Sequence, residues 1–592
     1  MSQAKLQHVH ALLASNPEQA RVMCQRLVQT SPRDPAVAST MASVLLTLGQ
    51  TKQALHFAQR AHELSPREPH FVVELGRLLG FENQPRKAAE LLRRALEQHP
   101  GHPQLMEQLA FTLAQVELQA DAERVCKEGL AQHPEHEGLQ AILAGALLSL
   151  GRIEECVELT RAAAARHPQN PHLASGLALM LNYLPGVKPA ESLAAHRRYA
   201  ALLEAADPFP ARTYANARDP GKRLRVGVVS PDLRQHSVAY FIEPWLEHLD
   251  AAGLEIVVYQ TNRIADGVTA RLRALVVGRC KGQWHVMDNI SDQALAEKMH
   301  ADGVDILIEL SGHTHAHSLA ALHRRPAPVQ VTYLGYPNTT GLTSIDYRIV
   351  DSHTDPAGAE SQATERLLRL DPCFLCYMPP ADVPEPRHSV GGAPPSPLTL
   401  ASFNSVQKLN RGVIRVWAGI LARLPEARLL LKGGHPDDQG LREGVLARFR
   451  EAGADAARIE FLPRTQGVRE HLALYQRVDI ALDPFPYNGT TTTCEALLMG
   501  VPVVTLAGSQ HPGRVGVSLL TNVGHAELIA ATEAEYAEKV VALAGDGPRR
   551  EGLHAGLRGE LLASPLCDAA GFAARMQTAL RGVWGRWCEH GR

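Results

Sequence analysis

No stretch of the 592 residues approaches the roughly 18 consecutive apolar residues of a membrane-spanning helix. The first twenty residues, MSQAKLQHVHALLASNPEQA, lack both a continuous apolar core and a small-residue cleavage site, so they do not read as a signal peptide. An excess of one charge sign is missing too. The formal net charge is −2, which removes any bulk electrostatic case for binding nucleic acid or an anionic membrane. Cysteine is sparse: nine residues, an odd number scattered along a long chain, do not make a disulfide framework. The one close pair, Cys373 and Cys376, lies in the apolar run CFLCY with no second pair nearby, which fits buried structural thiols better than zinc or redox chemistry. These absences predict a cytoplasmic protein with no membrane and no nucleic-acid partner.

What is present is globular material, 45% apolar and 21% charged. The length is enough for roughly three or four domains. Prolines recur at Pro32, Pro66, Pro100, Pro134 and Pro168, each 34 residues after the last. Small residues keep the same step at Ala20, Ala54, Ala88, Ala122 and Cys156. Period, small residues where paired helices meet and a proline after the second helix together match the tetratricopeptide (TPR) pattern. About five repeats fill residues 1–182, the first truncated. Gly49 and Gly151 fall at the turn between paired helices, with Asn83 and Glu117 at the equivalent positions of the intervening repeats. Such arrays present a groove to peptides or proteins.

Residues 183–222 read as a transition helix, about Ala190 to Ala205, and a Pro/Gly/Arg linker. Strand and helix signals then alternate. Strands are expected at 224–230, 255–260, 304–310, 329–334 and 347–350, making a first lobe over 223–378. After the Pro/Gly-rich stretch 379–397, read as an interlobe connection, they are expected at 398–403, 428–432, 458–461, 478–482 and 501–506, making a second lobe over 398–592 that ends in a helix near 569–587. Short connections of this kind favour parallel sheets with helices on both faces, and ligands at the carboxyl ends of the strands.

One such end carries DPFPYNGTTTTCEALLMG, Asp483 to Gly500. A strand stops, the chain turns through Pro and Gly, and a helix starts at threonines. Free N–H groups and hydroxyls there would face an anion such as a phosphate. Glu495 is expected in the helix's first turn, where its carboxylate would accept hydrogen bonds from ribose hydroxyls. The glycines of GYPNTTG (Gly335 to Gly341) read as turn formers, and with Asp346 they are expected to shape the cleft. His313, in SGHT, is a pocket candidate. His313, His315 and His317 lack the carboxylate or thiolate partner that would make them a metal site.

Repeats joined to LRVGVVSPDLRQHSVAYFIEP, DILIELSGHT, RPAPVQVTYLGYPNTTGL, FNSVQKLN and NGTTTTCEALLMGVPVVTLAG resemble the nucleocytoplasmic protein O-glycosyltransferases, the protein O-GlcNAc transferases and SPINDLY proteins. The likeness runs over nearly the whole chain and is closer to the SPINDLY branch in HSVAYFIEP, GYPNTTGL, PCFLCY and GTTTTCE. It implies a TPR superhelix followed by a two-lobed GT-B domain, an inverting mechanism and no catalytic metal or cofactor. Lys408 matches the lysine that neutralises the leaving diphosphate, a charge that must be met when a glycosyl–phosphate bond breaks without a metal. His236 matches a histidine at the active-site mouth, suited to take a hydroxyl proton near neutral pH. With His313 these are the candidate catalytic residues. His471 matches the histidine lying against the nucleobase, and Asn488, Gly489, Thr490, Thr491, Thr492 and Glu495 complete the implied nucleotide-sugar site. The O-GlcNAc transferase form has histidine in place of Thr490 and aspartate in place of Glu495, whereas the SPINDLY form agrees with this chain. The donor therefore stays open between UDP-GlcNAc and GDP-fucose, with acceptor proteins along the TPR groove.

Two other readings stand beside a protein glycosyltransferase. A nucleotide-sugar enzyme acting on a small molecule needs no helical array and would keep its activity without residues 1–182. A repeat scaffold with inactive lobes would bind no nucleotide.

Overall fold

The computed structural model describes residues 2–13, 15–208, 212–387, 397–465 and 467–591. They form two compact units, Met1–Leu159 with Gly434–Val445, and Thr160–Gly433 with Leu446–Arg592. Of the Pro/Gly-rich stretch 379–397, residues 388–396 lie outside the described residues.

In the first unit, 13-residue helices (Pro35–Thr47, Pro69–Phe81, Pro103–Gln115, Glu137–Ser149) alternate with 14-residue helices (Pro17–Thr30, Thr51–Leu64, Pro85–Gln98, Gln119–Gln132). Each of the longer helices stops two residues before a periodic proline. The periodic small residues Ala20, Ala54, Ala88 and Ala122 are fully buried where neighbouring helices touch. The turn between paired helices takes a left-handed residue at every step: Gly49 (φ 73°), Asn83 (φ 57°), Glu117 (φ 60°) and Gly151 (φ 71°). The helix pair fixes that backbone, and two repeats hold it without glycine at a steric cost. The shorter helices line a cavity of about 810 Å³. Within it the carboxylate of Glu74 accepts hydrogen bonds from Ser39 Oγ (2.5 Å) and Ser43 Oγ (3.1 Å).

The second unit carries two all-parallel sheets. The first contains β1 (Leu224–Ser230), β2 (Leu254–Gln260), β3 (Gln283–Val286), β4 (Ile306–Glu309), β5 (Val329–Thr332), β6 (Tyr347–Val350) and β7 (Arg366–Arg369), in the order β3-β2-β1-β4-β5-β6-β7. The second contains β8 (Thr399–Ser402), β9 (Arg428–Lys432), β10 (Ile459–Leu462), β11 (Ile480–Leu482), β12 (Val503–Leu506) and β13 (Ile529–Ala530), in the order β10-β9-β8-β11-β12-β13. Strand order reverses between β1 and β4 and again between β8 and β11, which opens a crevice at the carboxyl ends of those strands. The last helix, Ala569–His590, returns to the first lobe. Arg581 donates to the carbonyls of Lys222 (2.9 Å) and Gly253 (3.0 Å), and Trp584 Nε1 to that of Asp219 (3.0 Å).

Helices Pro171–Met180 and Pro189–Ala206 are fixed to the first lobe by a buried polar seam. Asn182 Nδ2 donates to Tyr336 Oη (2.8 Å), and Asn338 Nδ2 donates to Asn182 Oδ1 (2.7 Å). His196 donates from Nδ1 to the Ser192 carbonyl (2.7 Å) and accepts at Nε2 from Tyr336 (2.7 Å). Burial pulls its pKa down to about 4, so the ring stays neutral. Asp346 departs from its expected place at the cleft. It precedes β6, at the opposite end of the sheet, and holds Arg325 (2.8 and 3.0 Å) and the Gln330 N–H (2.9 Å).

The loop after β5 leaves no room at Gly335, where a Cβ would collide with the carbonyl of Leu310. Gly335→Ala is expected to destabilise the second unit by about 1–3 kcal/mol, read as a lowered melting temperature. An unchanged melt would contradict this packing.

Candidate functional site

The site is built where β8 and β11 part. β11 ends at Leu482, and the next residue, Asp483, is buried. Its carboxylate accepts the Gly489 N–H at Oδ1 (2.6 Å) and the Thr505 hydroxyl at Oδ2 (2.6 Å), pinning the turn between strand and helix. Gly489 is required there: a Cβ would lie 2.6 Å from Thr492 Oγ1 and 3.0 Å from Asp483 Oδ1. The helix runs from Thr491 to Leu498, capped by Thr490 without a side-chain hydrogen bond. Its first-turn N–H groups have no carbonyl partner within the helix. Thr491 Oγ1 is buried with no hydrogen-bond partner among the described residues, an orphaned hydroxyl at a helix's positive end. Glu495 is the fifth helical residue, so it lies beyond the first turn in which it was expected.

Lys408 follows β8 in a short 3₁₀ turn, Val406–Lys408. Its Nζ donates to the Asn488 carbonyl (2.7 Å) and to Asn404 Oδ1 (3.3 Å), and lies 4.5 Å from the centre of the Tyr487 ring. Asn404 Oδ1 also accepts from Thr492 Oγ1 (3.0 Å). The other side of Tyr487 stacks on Tyr183, with ring centres 4.7 Å apart. Desolvation pulls the Lys408 pKa down to about 8 while the charge of Asp483 pulls the other way. Desolvation raises Asp483 to about 6, opposed by its Thr505 and Gly489 hydrogen bonds and by Lys408.

A second polar chain runs beside the helix. His471 Nε2 is 2.9 Å from Glu495 Oε2, and His471 Nδ1 is 2.6 Å from Lys432 Nζ at the carboxyl end of β9. Phe403 and Tyr475 pack around the imidazole, with ring centres at 6.0 and 5.8 Å. Thus Lys408, Asn488, Gly489, Thr490, Thr491, Thr492, His471 and Glu495 converge in one lobe. Lys432, Asn404, Asp483 and Tyr183 join them without having been assigned roles in the sequence. The available signal was position, because three of these four lie at or just beyond the carboxyl end of a parallel strand.

The two remaining histidines stand in the first lobe. His236 caps helix Ser237–His248 after β1, with its Nδ1 accepting from the Val238 N–H (3.3 Å). Its side chain is 39% exposed and its Nε2 is 4.0 Å from Asp232. Desolvation lowers its pKa, Asp232 opposing and Arg234 adding to the shift, which leaves a neutral ring with its proton on Nε2. One turn on, Tyr240 is raised first by burial and then by the charge of Glu495. His313, after β4, is buried with both nitrogens engaged: Nδ1 accepts from Ser175 Oγ (2.9 Å) and Nε2 donates to the Thr340 carbonyl (2.9 Å). Ser175 in turn accepts from His317 Nε2 (3.0 Å). This ties His313 into the seam that holds the flanking helices. Among the described residues no group of three or more His, Cys, Asp or Glu side chains is placed to hold a metal ion. Cys373 and Cys376 are free and buried, and no described helix is long and apolar enough to cross a membrane.

Paired parallel α/β lobes, a helical repeat array before them and an anion-ready helix start facing a buried lysine define a GT-B architecture of the glycosyltransferase class. The chain belongs to glycosyl transferase family 41, whose profile matches residues 200–377 and 386–576. A tetratricopeptide repeat profile matches residues 120–180. A protein of Arabidopsis thaliana named "Probable UDP-N-acetylglucosamine--peptide N-acetylglucosaminyltransferase SPINDLY" is 41% identical over 381 residues, 64% of this chain and 41% of that protein. The Arabidopsis thaliana protein named "Probable UDP-N-acetylglucosamine--peptide N-acetylglucosaminyltransferase SEC" is 29% identical, over 62% of this chain and 38% of its own length. The chain thus spans less than half the length of these relatives. The solved structure of a lysine-to-methionine mutant of the Thermobaculum terrenum O-GlcNAc transferase superposes with a TM-score of 0.81 at 32% identity, covering 88% of this chain and 98% of that one.

Because the Asp483 carboxylate holds the proton on Lys408, Asp483→Asn is expected to move Lys408 deprotonation to below its value of about 8. An NMR titration of reductively ¹³C-methylated protein reads this directly, with Lys408→Arg assigning the signal. An unshifted titration would contradict the pairing.

Proposed function

We propose that the chain is a protein O-glycosyltransferase, moving one sugar from a nucleotide sugar to serine or threonine hydroxyls of proteins. The observation that carries this is Lys408 set over the turn Asn488–Gly489, next to the unpartnered Thr491 hydroxyl at a helix start. Cation, hydroxyl and free N–H groups together suit a diphosphate. Family membership supplies the sugar chemistry, and the names of the relatives supply a peptide acceptor.

In the transfer, the acceptor oxygen forms a bond to the sugar's anomeric carbon as the bond from that carbon to the β-phosphate oxygen breaks, with inversion. The nucleoside diphosphate leaves with the electron pair, and Lys408 neutralises the charge that develops on it. The hydroxyl proton passes to Nδ1 of His236, a half-exposed neutral ring of the first lobe that gives up its 3.3 Å contact with the Val238 N–H to take it. His471 and Glu495 hold the nucleoside, Asn488, Gly489, Thr490, Thr491 and Thr492 the phosphates. In this reading residues 1–182 present the acceptor protein to the lobes 223–378 and 398–592. That raises the acceptor's effective concentration without a tight local motif. UDP-GlcNAc and GDP-fucose are the donors to compare.

Lys408→Ala is expected to lower kcat by about 100-fold or more with the circular dichroism spectrum unchanged. Wild-type turnover should fall as pH rises past about 8, where Lys408 loses its proton. Near-normal turnover in the variant, measured as mass added to an acceptor protein, would contradict the assignment.

A further inference from the structure

Lys432 is outside the set of residues that the sequence assigns to the site, yet it makes one of the site's closest contacts. It closes β9, and its Nζ lies 2.6 Å from His471 Nδ1 and 3.2 Å from Thr465 Oγ1. An ammonium group can only donate. His471 Nδ1 must therefore be the acceptor, and the proton of the neutral ring sits on Nε2. From there it points at Glu495 Oε2, 2.9 Å away. The chain of donation runs one way, from Lys432 through His471 to Glu495. Its direction is set at both ends, because the ammonium can only donate and the Glu495 carboxylate can only accept.

We propose that Lys432 is a positioning residue for the donor nucleotide: its hydrogen bond to Nδ1 fixes the plane of His471, and through the ring the carboxylate of Glu495. The proposal rests on the assignment of this crevice to a nucleotide sugar and adds to it a residue that acts through His471 and Glu495. Two features follow from the fixed direction. His471 spends both nitrogens on protein partners, so it meets a nucleobase with its ring face rather than as a hydrogen-bonding edge. Phe403 and Tyr475 already hold two of its sides. Glu495 receives its proton donor at Oε2, which leaves Oε1 as an acceptor with its lone pairs available for a ribose hydroxyl. Removing Lys432 leaves Nδ1 without its donor, so the ring keeps only the Nε2–H bond to Glu495 and is free to tilt about it. The local charges are arranged for this role. Burial lowers the Lys432 pKa, the Glu495 carboxylate opposes that shift, and Arg464 adds to it.

The test uses the full chain in three forms: wild type, Lys432→Met and Lys432→Arg. Calorimetry with UDP and with GDP reads binding, and steady-state transfer reads KM and kcat separately. Loss of a hydrogen bond to a charged partner corresponds to about tenfold in affinity. Lys432→Met is therefore expected to raise the nucleotide Kd and the donor KM about tenfold with kcat nearly unchanged, and Lys432→Arg to restore most of the loss. Nucleotide binding by Lys432→Met equal to wild type would overturn the proposal while leaving the glycosyltransferase assignment intact. Binding of neither nucleotide by wild type would instead count against that assignment. A second measurement stands apart from activity and from the folding of any lysine variant. Long-range ¹H–¹⁵N spectra of the nucleotide-free wild type, with the His471 signals assigned by their loss in His471→Gln, should show Nδ1 unprotonated and Nε2 protonated. A proton on Nδ1 would overturn the proposal.

Discussion

A lysine charge kept out of water is the constraint from which the rest of the site follows. Lys408 retains its proton because Asp483 stands behind the turn that carries Asn488 and Gly489, and because the Asn488 carbonyl accepts from its Nζ. Asp483 in turn holds that turn through Gly489 and is braced by Thr505. A single carboxylate thus fixes the geometry of the helix start and supplies the countercharge to the cation above it. Neither could be swapped for a neutral isostere without disturbing the other. The orphaned hydroxyl of Thr491 and the free N–H groups of the first helical turn are left as capacity for a ligand's negative charge.

Around this centre the first lobe is held by a different kind of interaction. His196, His313, Asn182, Asn338 and Tyr336 form a buried network in which each polar group has a partner. It fixes helices Pro171–Met180 and Pro189–Ala206 to the loop after β5. Low-dielectric polar seams of this sort specify one docking arrangement, since an apolar surface would tolerate sliding. Neutral histidines are part of that specification: burial lowers both His196 and His317 to about 4.

Much of this was legible in the sequence, for identifiable reasons. The 34-residue step was visible because the same proline and the same small residues recur. Central strands were visible as short apolar runs. The three strands that escaped, β3, β7 and β13, all lie at sheet edges. The first two are half-exposed (Gln283–Val286 and Arg366–Arg369), so they lack the buried run that marks the centre of a parallel sheet. The threonine stretch was readable as a strand, a turn and a helix start, and family resemblance carried Lys408 and His471 to the same crevice. The roles of Lys432, Asp483 and Asn404 were not readable, because each acts on residues far away in the chain: Lys432 on His471, Asp483 on Thr505, Asn404 on Thr492. Position along the chain likewise could not show that His313 would have both nitrogens taken, since Ser175 comes from a helix 138 residues earlier.

The central claim is that the crevice between β8 and β11 holds a nucleoside diphosphate without help from a metal. Calorimetric titration of the purified chain with UDP and GDP in parallel, with and without EDTA, tests it most directly. The account predicts saturable binding of one of the two, unchanged by EDTA, with the preferred base identifying the donor. Absence of binding by both, or binding abolished by EDTA, would contradict it.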